Sequence, residues 1–168
     1  MPMLPEELSI KRELLRELLA ERWNPEPLDE HSWEFQHVAG WMPLCCYAEI
    51  NPEMEAFLFR AINPLTVEPE KIPLVNEYLA RVNYQLPIGG WAIDMDRGEV
   101  RWKSGVYFGG TDLNEALMRH VIESSLHFIK RYIFGLAHIQ TGGTVESALQ
   151  TVGEDKGKGK TEGAKQPG

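Results

Sequence analysis

The sequence predicts an α+β fold: a helix, a three-stranded antiparallel meander, a second helix, a β-hairpin and a long third helix, with a disordered C-terminal tail. Three observations carry this expectation. Apolar residues recur at helical spacing in well-separated segments, strand-like runs come in consecutive groups joined by short turn sequences, and no internal repeat interrupts the order. Consecutive strands joined by tight turns pair antiparallel, whereas a parallel sheet needs a crossover between each pair.

The first helix is expected from Pro5 to Trp23, where Leu8, Leu15, Leu18, Leu19 and Trp23 share a face and Glu7 and Lys11 form a one-turn surface pair. Asn24-Pro25-Glu26-Pro27 stops it, because proline has no amide hydrogen and excludes its predecessor from helical angles. A loop is expected to about Ser32. Trp33 to Val38, Met42 to Ile50 and Met54 to Ile62 then read as strands, separated by the turn-forming "AGW" and "NPE". In the third strand Met54, Ala56, Leu58 and Arg60 face one way and Phe57, Phe59 and Ala61 the other, which predicts a strand covered on both sides.

Pro73 suits the first turn of a second helix, with Ile72, Val75, Leu79 and Val82 on one stripe and an end near Asn83. Strands from Trp91 to Met95 and Glu99 to Tyr107 flank an Asp96-Arg97-Gly98 turn. Thr111 or Asp112 is the expected cap of the long third helix, whose apolar positions are Leu117, Val121, Ile122, Leu126, Ile129 and Ile133. A short fourth helix is expected from Val145 to Val152. Residues 1–152 read as a single domain, and 153–168, rich in Lys and Gly without large apolar residues, as a disordered tail.

With 168 residues and 43% apolar content, the chain suffices for one real core. A formal charge of −8 excludes bulk attraction to nucleic acid or anionic lipid. No run approaches the ~18 apolar residues of a membrane span, and the N-terminus lacks a signal-peptide core, so the chain reads as cytoplasmic with no membrane insertion. Cys45 and Cys46 are adjacent, which disfavours an ordinary disulfide between them, and their apolar surroundings raise a thiol's pKa.

Chemical motifs are weak throughout. Gly89-Gly90 follows a helix and precedes a strand, the reverse of a dinucleotide fingerprint, and reads as a helix stop and strand entry. Counted from Asp94, glycine and glutamate miss the positions a calcium loop requires, so Asp94 and Asp96 read as a strand face opposite Arg101 or Lys103. His120, Glu123 and His127 share a helix face, but imidazoles seven positions apart are about 10 Å apart along the axis, too far for one ion. No G-x-S-x-G occurs around Ser124-Ser125. The expectation is therefore no catalytic group, no cofactor and no metal.

The segment "LVNEYLARVNYQLPIGGWAIDMDRGEVRWKS" has a helix ending in Asn, a glycine-bearing link into a strand, an acidic Gly turn, and a second strand. With the long helix that follows, to Ile139, it resembles the type III secretion chaperone-like superfamily and the related YbjN family of proposed sensory-transduction regulators, and within the superfamily it is nearer to cyanobacterial and plastid-type members than to the true secretion chaperones. The resemblance implies an α+β fold with a curved antiparallel sheet packed by helices, frequent homodimerisation, and binding of other proteins without nucleotide or catalysis. The Trp-rich N-terminal half and the Lys/Gly tail depart from the secretion chaperones.

The expected function is a non-enzymatic, chaperone-like or regulatory protein-binding module, a homodimer with an unknown protein client. Its expected partner-binding residues are Leu74 and Tyr78 on the second helix and Phe57, Phe59, Trp91 and Trp102 on the aromatic sheet, where Trp and Tyr suit hot spots. Two alternatives stand beside it. One is a small-ligand binder or enzyme with a pocket between the sheet and third helix, lined by His120, His127 or Cys45. The other, from the cyanobacterial flavour of the resemblance, is an assembly factor for a photosynthetic complex.

Overall fold

The structure is a computed structural model that describes residues 3–154, so the expected C-terminal tail lies, from residue 155 on, outside the described residues. Helix α1 spans Pro5–Ala20, with proline in its first turn where a missing amide hydrogen is harmless. Strands β1 (Glu26–Pro27), β2 (Ser32–Ala39), β3 (Met42–Asn51) and β4 (Ala56–Ile62) follow. A 3-10 turn, Pro69–Lys71, leads into α2 (Ile72–Gln85). Strands β5 (Gly90–Ile93) and β6 (Val100–Tyr107), the long α3 (Glu115–Gln140) and α4 (Val145–Glu154) complete the described residues.

All six strands form one sheet in the order β1-β2-β3-β4-β6-β5, every neighbouring pair antiparallel. The expected meander and hairpin are thus joined, with β6 pairing both β5 and β4. The two-residue β1 is an addition: the Pro-containing stretch expected as loop pairs Glu26 with Glu34 and Pro27 with Trp33. Proline is tolerated there because β1 is an edge strand. Met54 falls in the turn before β4, not in the strand.

The helices share one face of the sheet. α3 lies against β2, β4 and β6, α1 against α3 and β3, and α2 against α3, α4 and β5. Alternation along the strands follows: in β3, Met42, Leu44, Cys46, Ala48 and Ile50 are buried, while Cys45, Tyr47, Glu49 and Asn51 on the other face are only half-buried. In β4, Phe57, Phe59 and Ala61 enter the core beneath the helices, whereas Leu58, Arg60 and Ile62 are half-buried. The expectation that β4 is covered on both sides is therefore corrected; helices cover only one face.

Tyr78 couples α2 to α3. Its ring is fully buried and its hydroxyl donates to the Tyr132 carbonyl at 2.7 Å. Gly135, one turn along α3, leaves the space the phenol fills, since a Cβ there would overlap the ring. Burial pushes the Tyr78 pKa up, so the group stays a neutral donor.

Asn83 performs a different task at the end of α2. Its carboxamide donates to the Trp91 carbonyl and accepts from the Trp91 amide, both at 2.8 Å. One side chain thereby takes the place of a missing strand along β5, whose outer edge would otherwise be open. Gly89, with φ 71°, makes the entry to β5 and packs where a side chain would strike Trp102. Its neighbour Gly90 does not adopt positive φ and is simply the first residue of β5.

Three local expectations are corrected. The cap of α3 is Asn114, whose side chain accepts from the Leu117 amide at 2.9 Å, rather than Thr111 or Asp112. Asp112 instead pairs with Lys11, which is thus taken from its expected partner Glu7 and ties α1 to the loop before α3. Asp94 does not face Arg101 across the hairpin; it accepts from the amides of Asp96 (2.9 Å) and Arg97 (3.0 Å), which shape the turn and lower its pKa. Arg101 pairs with Glu99, the residue just before β6.

Two stability predictions follow from these contacts. Tyr78→Phe keeps the packing but strips one buried hydrogen bond, and is expected to lower unfolding free energy by about 1 kcal/mol, read as a lower urea midpoint at unchanged m-value. Gly98, at φ 72° in the β5–β6 turn, has the Val67 backbone against the position of a Cβ. Gly98→Val is therefore expected to lower the melting temperature by several degrees, about 2–3 kcal/mol of strain and displaced backbone; an unchanged melting temperature refutes this.

Candidate functional site

The titratable side chains that a ligand pocket would need are held apart. His120 and His127 are exposed on the solvent side of α3. Cys45 lies on the sheet face turned away from the helices, where it is half-buried beside Gln36, its sulfur 3.5 Å from the Gln36 amide nitrogen. The expected pocket between sheet and α3 is thus corrected: the layer there is filled by Trp102, Phe128, Ile129 and Ile133, with Trp102 and Phe128 stacked at 6.2 Å between centroids. Among the described residues no three His, Cys, Asp or Glu side chains come together as a metal set.

Two of the remaining histidines are structural. His37, half-buried on β2, accepts from the Trp23 indole at 3.2 Å, and desolvation with the nearby Arg22 charge lowers its pKa. His138 contacts the Ser147 hydroxyl at 2.7 Å and joins the end of α3 to α4. The neighbouring cysteines differ sharply in environment. Cys46 is buried among apolar groups, which pushes its thiol up to about 12, while Cys45 is partly open to solvent.

Five of the six expected partner residues lie inside the molecule. Phe57, Phe59, Tyr78 and Trp102 are fully buried and Trp91 nearly so, with the Trp91 and Trp102 rings edge-to-face at 5.5 Å. These aromatics are the core that supports a surface, not the surface. Their burial removes them from reach of a partner of the folded chain. Leu74 alone is open, at 43% exposure.

Leu74 belongs to a surface feature that the sequence pattern only partly reveals. The outward side of α2 presents Leu74, Glu77, Arg81 and Tyr84 at steps of three, four and three residues, and Tyr84 is 93% exposed. Glu77 and Arg81 form an ion pair at 2.7 Å. Beside them α4 contributes Leu149 to a shallow groove of about 410 Å³ that is also lined by Ala80 and Gln85. The sequence reading ends the helix near Asn83, whereas α2 runs to Gln85, so Tyr84 on its last turn is passed over by a pattern weighted to the buried stripe. A second cleft, about 450 Å³, opens between the N-terminal turn of α1 and the loop before α3, beside Leu4, Glu7, Phe108 and Asp112. Neither cleft lies between sheet and α3.

The outer sheet face is the second large open surface. Across neighbouring strands the register sets Glu34, Tyr47, Arg60, Lys103 and Gly90 in one row. Gln36, Cys45, Ile62, Arg101 and Ala92 form the next. The Arg60 guanidinium lies 5.8 Å from the Tyr47 ring centroid and 3.2 Å from a Glu49 carboxylate oxygen.

The contrast between the two thiols is directly measurable. In the native protein, iodoacetamide is expected to label Cys45 and spare Cys46, with both labelled only in denaturant; peptide mapping that finds Cys46 modified at a comparable native rate contradicts the burial described.

No protein-family model matches the chain, and neither does any curated protein sequence. Among solved structures, YbjN from E. coli, described as a candidate transcription regulator, matches over 71% of this chain and 85% of its own with a TM-score of 0.56 at 12% identity. A chain of the ExsC–ExsE complex aligns over 74% of this chain and 93% of its own at 17% identity, with a TM-score of 0.42. No helix among the described residues is long and apolar enough to cross a membrane. At such low identity the likeness to YbjN speaks to architecture alone: the chain has an α+β fold like that of YbjN.

Proposed function

We propose that the chain is a non-enzymatic protein-binding module, chaperone-like or regulatory, that works in the cytoplasm as a homodimer and engages a protein client. The observation that carries this reading is the outward stripe of α2. Its residues are symmetric about the level of Leu79: Leu74 and Tyr84 lie five positions to either side, Glu77 and Arg81 two. A twin helix packed antiparallel across a two-fold axis at that level sets Leu74 against the partner's Tyr84 and Glu77 against the partner's Arg81. Ala80, small and exposed, lies beside the crossing point where backbones approach. Such a surface is self-complementary, as a two-fold interface requires.

The protein-binding part of the reading draws support from the fold shared with YbjN and from the separation of the groups that chemistry would need to gather. Catalysis needs donors and acceptors within hydrogen-bond reach of one reacting centre, and His120 and His127, on the solvent side of α3, are on a different surface from Cys45 on the outer sheet face.

Sedimentation velocity at micromolar concentration tests the dimer. The wild-type chain is expected to sediment as a dimer. Arg81→Glu, which sets like charges across the axis, is expected to give a monomer with an unchanged melting curve, and the exchange Glu77→Arg with Arg81→Glu to restore the dimer. A wild-type chain that is strictly monomeric removes the homodimer.

A further inference from the structure

From the outer sheet face we infer that it is a docking surface for an acidic, extended segment of a client protein, seated on a cationic strip formed by Arg60, Lys103 and Arg101. This inference rests on the protein-binding reading but not on dimerisation, because the strip is on the sheet face opposite the helices.

The strip is built by the register. Arg60 on β4 stands directly opposite Lys103 on β6, and Arg101 is two residues along β6 on the same face. Like charges directly opposed across an antiparallel pair destabilise the sheet, so a face selected for stability alone does not place two cations there. Carboxylates answer only part of this charge. Arg60 pairs with Glu49 at 3.2 Å and Arg101 pairs with Glu99, but Lys103, exposed, has no ionic partner among the described residues.

Shape and neighbouring chemistry indicate what fits. Gly90, opposite Lys103, and Gly105, two residues along β6, have no side chains, so the ammonium rises from a low floor. Gly105 is also held to glycine by β4, since a Cβ would lie 2.7 Å from the Phe57 carbonyl oxygen. Half-buried Leu58 and Ile62 and the Tyr47 ring flank the cations, and Tyr107 is 73% exposed at the end of β6. Alternating cationic and apolar positions on this face match a strand-like segment that alternates carboxylates with an aromatic or aliphatic residue.

A nucleic acid is the poorer fit. Glu34, Glu49 and Glu99 share the region with the cations, two of the three cations are already paired, and the chain carries −8 overall. A phosphate chain needs several free cations to gain from counterion release. A short acidic peptide needs one free ammonium and two guanidinium groups that can share their carboxylates.

The experiment is fluorescence anisotropy of the full chain with a labelled peptide of alternating Glu and Ser around one Phe, alongside a Gln-for-Glu control and a single-stranded oligonucleotide. The wild-type chain is expected to bind the Glu peptide, more weakly as salt rises, and not the control. Lys103→Thr is expected to weaken binding about tenfold while the melting temperature holds or rises by about 1–3 °C, because the cross-strand repulsion is gone. Lys103→Arg, which keeps the charge, retains the affinity. The monomerising Arg81→Glu leaves peptide affinity unchanged, which separates this site from the dimer. Absent peptide binding, equal binding in Lys103→Thr, tighter binding of the oligonucleotide, or a Lys103 effect confined to self-association would each overturn the inference.

Discussion

The insertion of Tyr78 into the gap at Gly135 sets the geometry on which the helical layer depends. Burying a phenol is favourable only when its hydroxyl finds an acceptor, and the Tyr132 carbonyl supplies one inside α3 at 2.7 Å. That single bond fixes the distance and rotation of α2 against α3. Because α2 also touches α4 and β5, the same contact positions the fourth helix and the end of the sheet. Rotation is the consequential variable. With Tyr78, Val75 and Val82 turned inward, Leu74, Glu77, Arg81 and Tyr84 must face outward, so the exposed stripe is the geometric complement of the buried one.

One-sided packing has a second consequence. All four helices belong to the same layer, so the sheet must present its other face without helical cover, and the alternation of burial along β3 and β4 shows how the strands accommodate this. Such a face tends to recruit further strands or aggregate at its edges. Both edges are protected locally. β1 is two residues long and ends in Pro27, while the outward amide and carbonyl of Trp91 on β5 are occupied by Asn83. The outer face thus stays without helical cover, while β1 covers only the first part of β2 and Asn83 only the Trp91 position of β5.

Much of the element order was legible in the sequence because it depends on short-range periodicity. The stripes of α1, α2 and α3, the strand runs from Trp33 and Met42, and the glycine turn at Gly98 all announce themselves within a few residues of their own positions. What was not legible depends on partners far away in sequence. β1 exists because Glu26 and Pro27 meet Trp33 and Glu34. Lys11 leaves Glu7 for Asp112 because the fold brings α1 beside the loop before α3. Asn114 caps α3 in preference to Thr111 or Asp112 because the loop turns around it, and a run of several possible caps does not reveal which has the right angles. The candidate surfaces were the least legible part. Aromatic content pointed to the sheet as a contact surface, but Phe57, Phe59, Trp91 and Trp102 share the parity that faces the helices, and only register places Arg60 against Lys103 on the other.

The same parity argument bears on what kind of activity the fold can host. Side chains on opposite faces of a sheet are separated by its full thickness and the packed layer behind it, so groups on α3, such as His120 and His127, cannot work with Cys45 without a rearrangement of the core. The core is dense with aromatics that stack on one another, Trp102 on Phe128 and against Trp91, Phe35 near Phe59, and such packing resists opening. The groups that catalysis would have to gather thus stand apart, while two separate surfaces stay exposed, the outward stripe of α2 and the sheet face turned away from the helices. Charge separates them further: the α2 stripe is balanced by its own Glu77–Arg81 pair, whereas Lys103 on the sheet strip has no ionic partner among the described residues. In the proposed dimer, pairing through the α2 stripe would leave the sheet faces free, and two such faces would hold two segments of a client at once, raising its apparent affinity through effective concentration without any new contact.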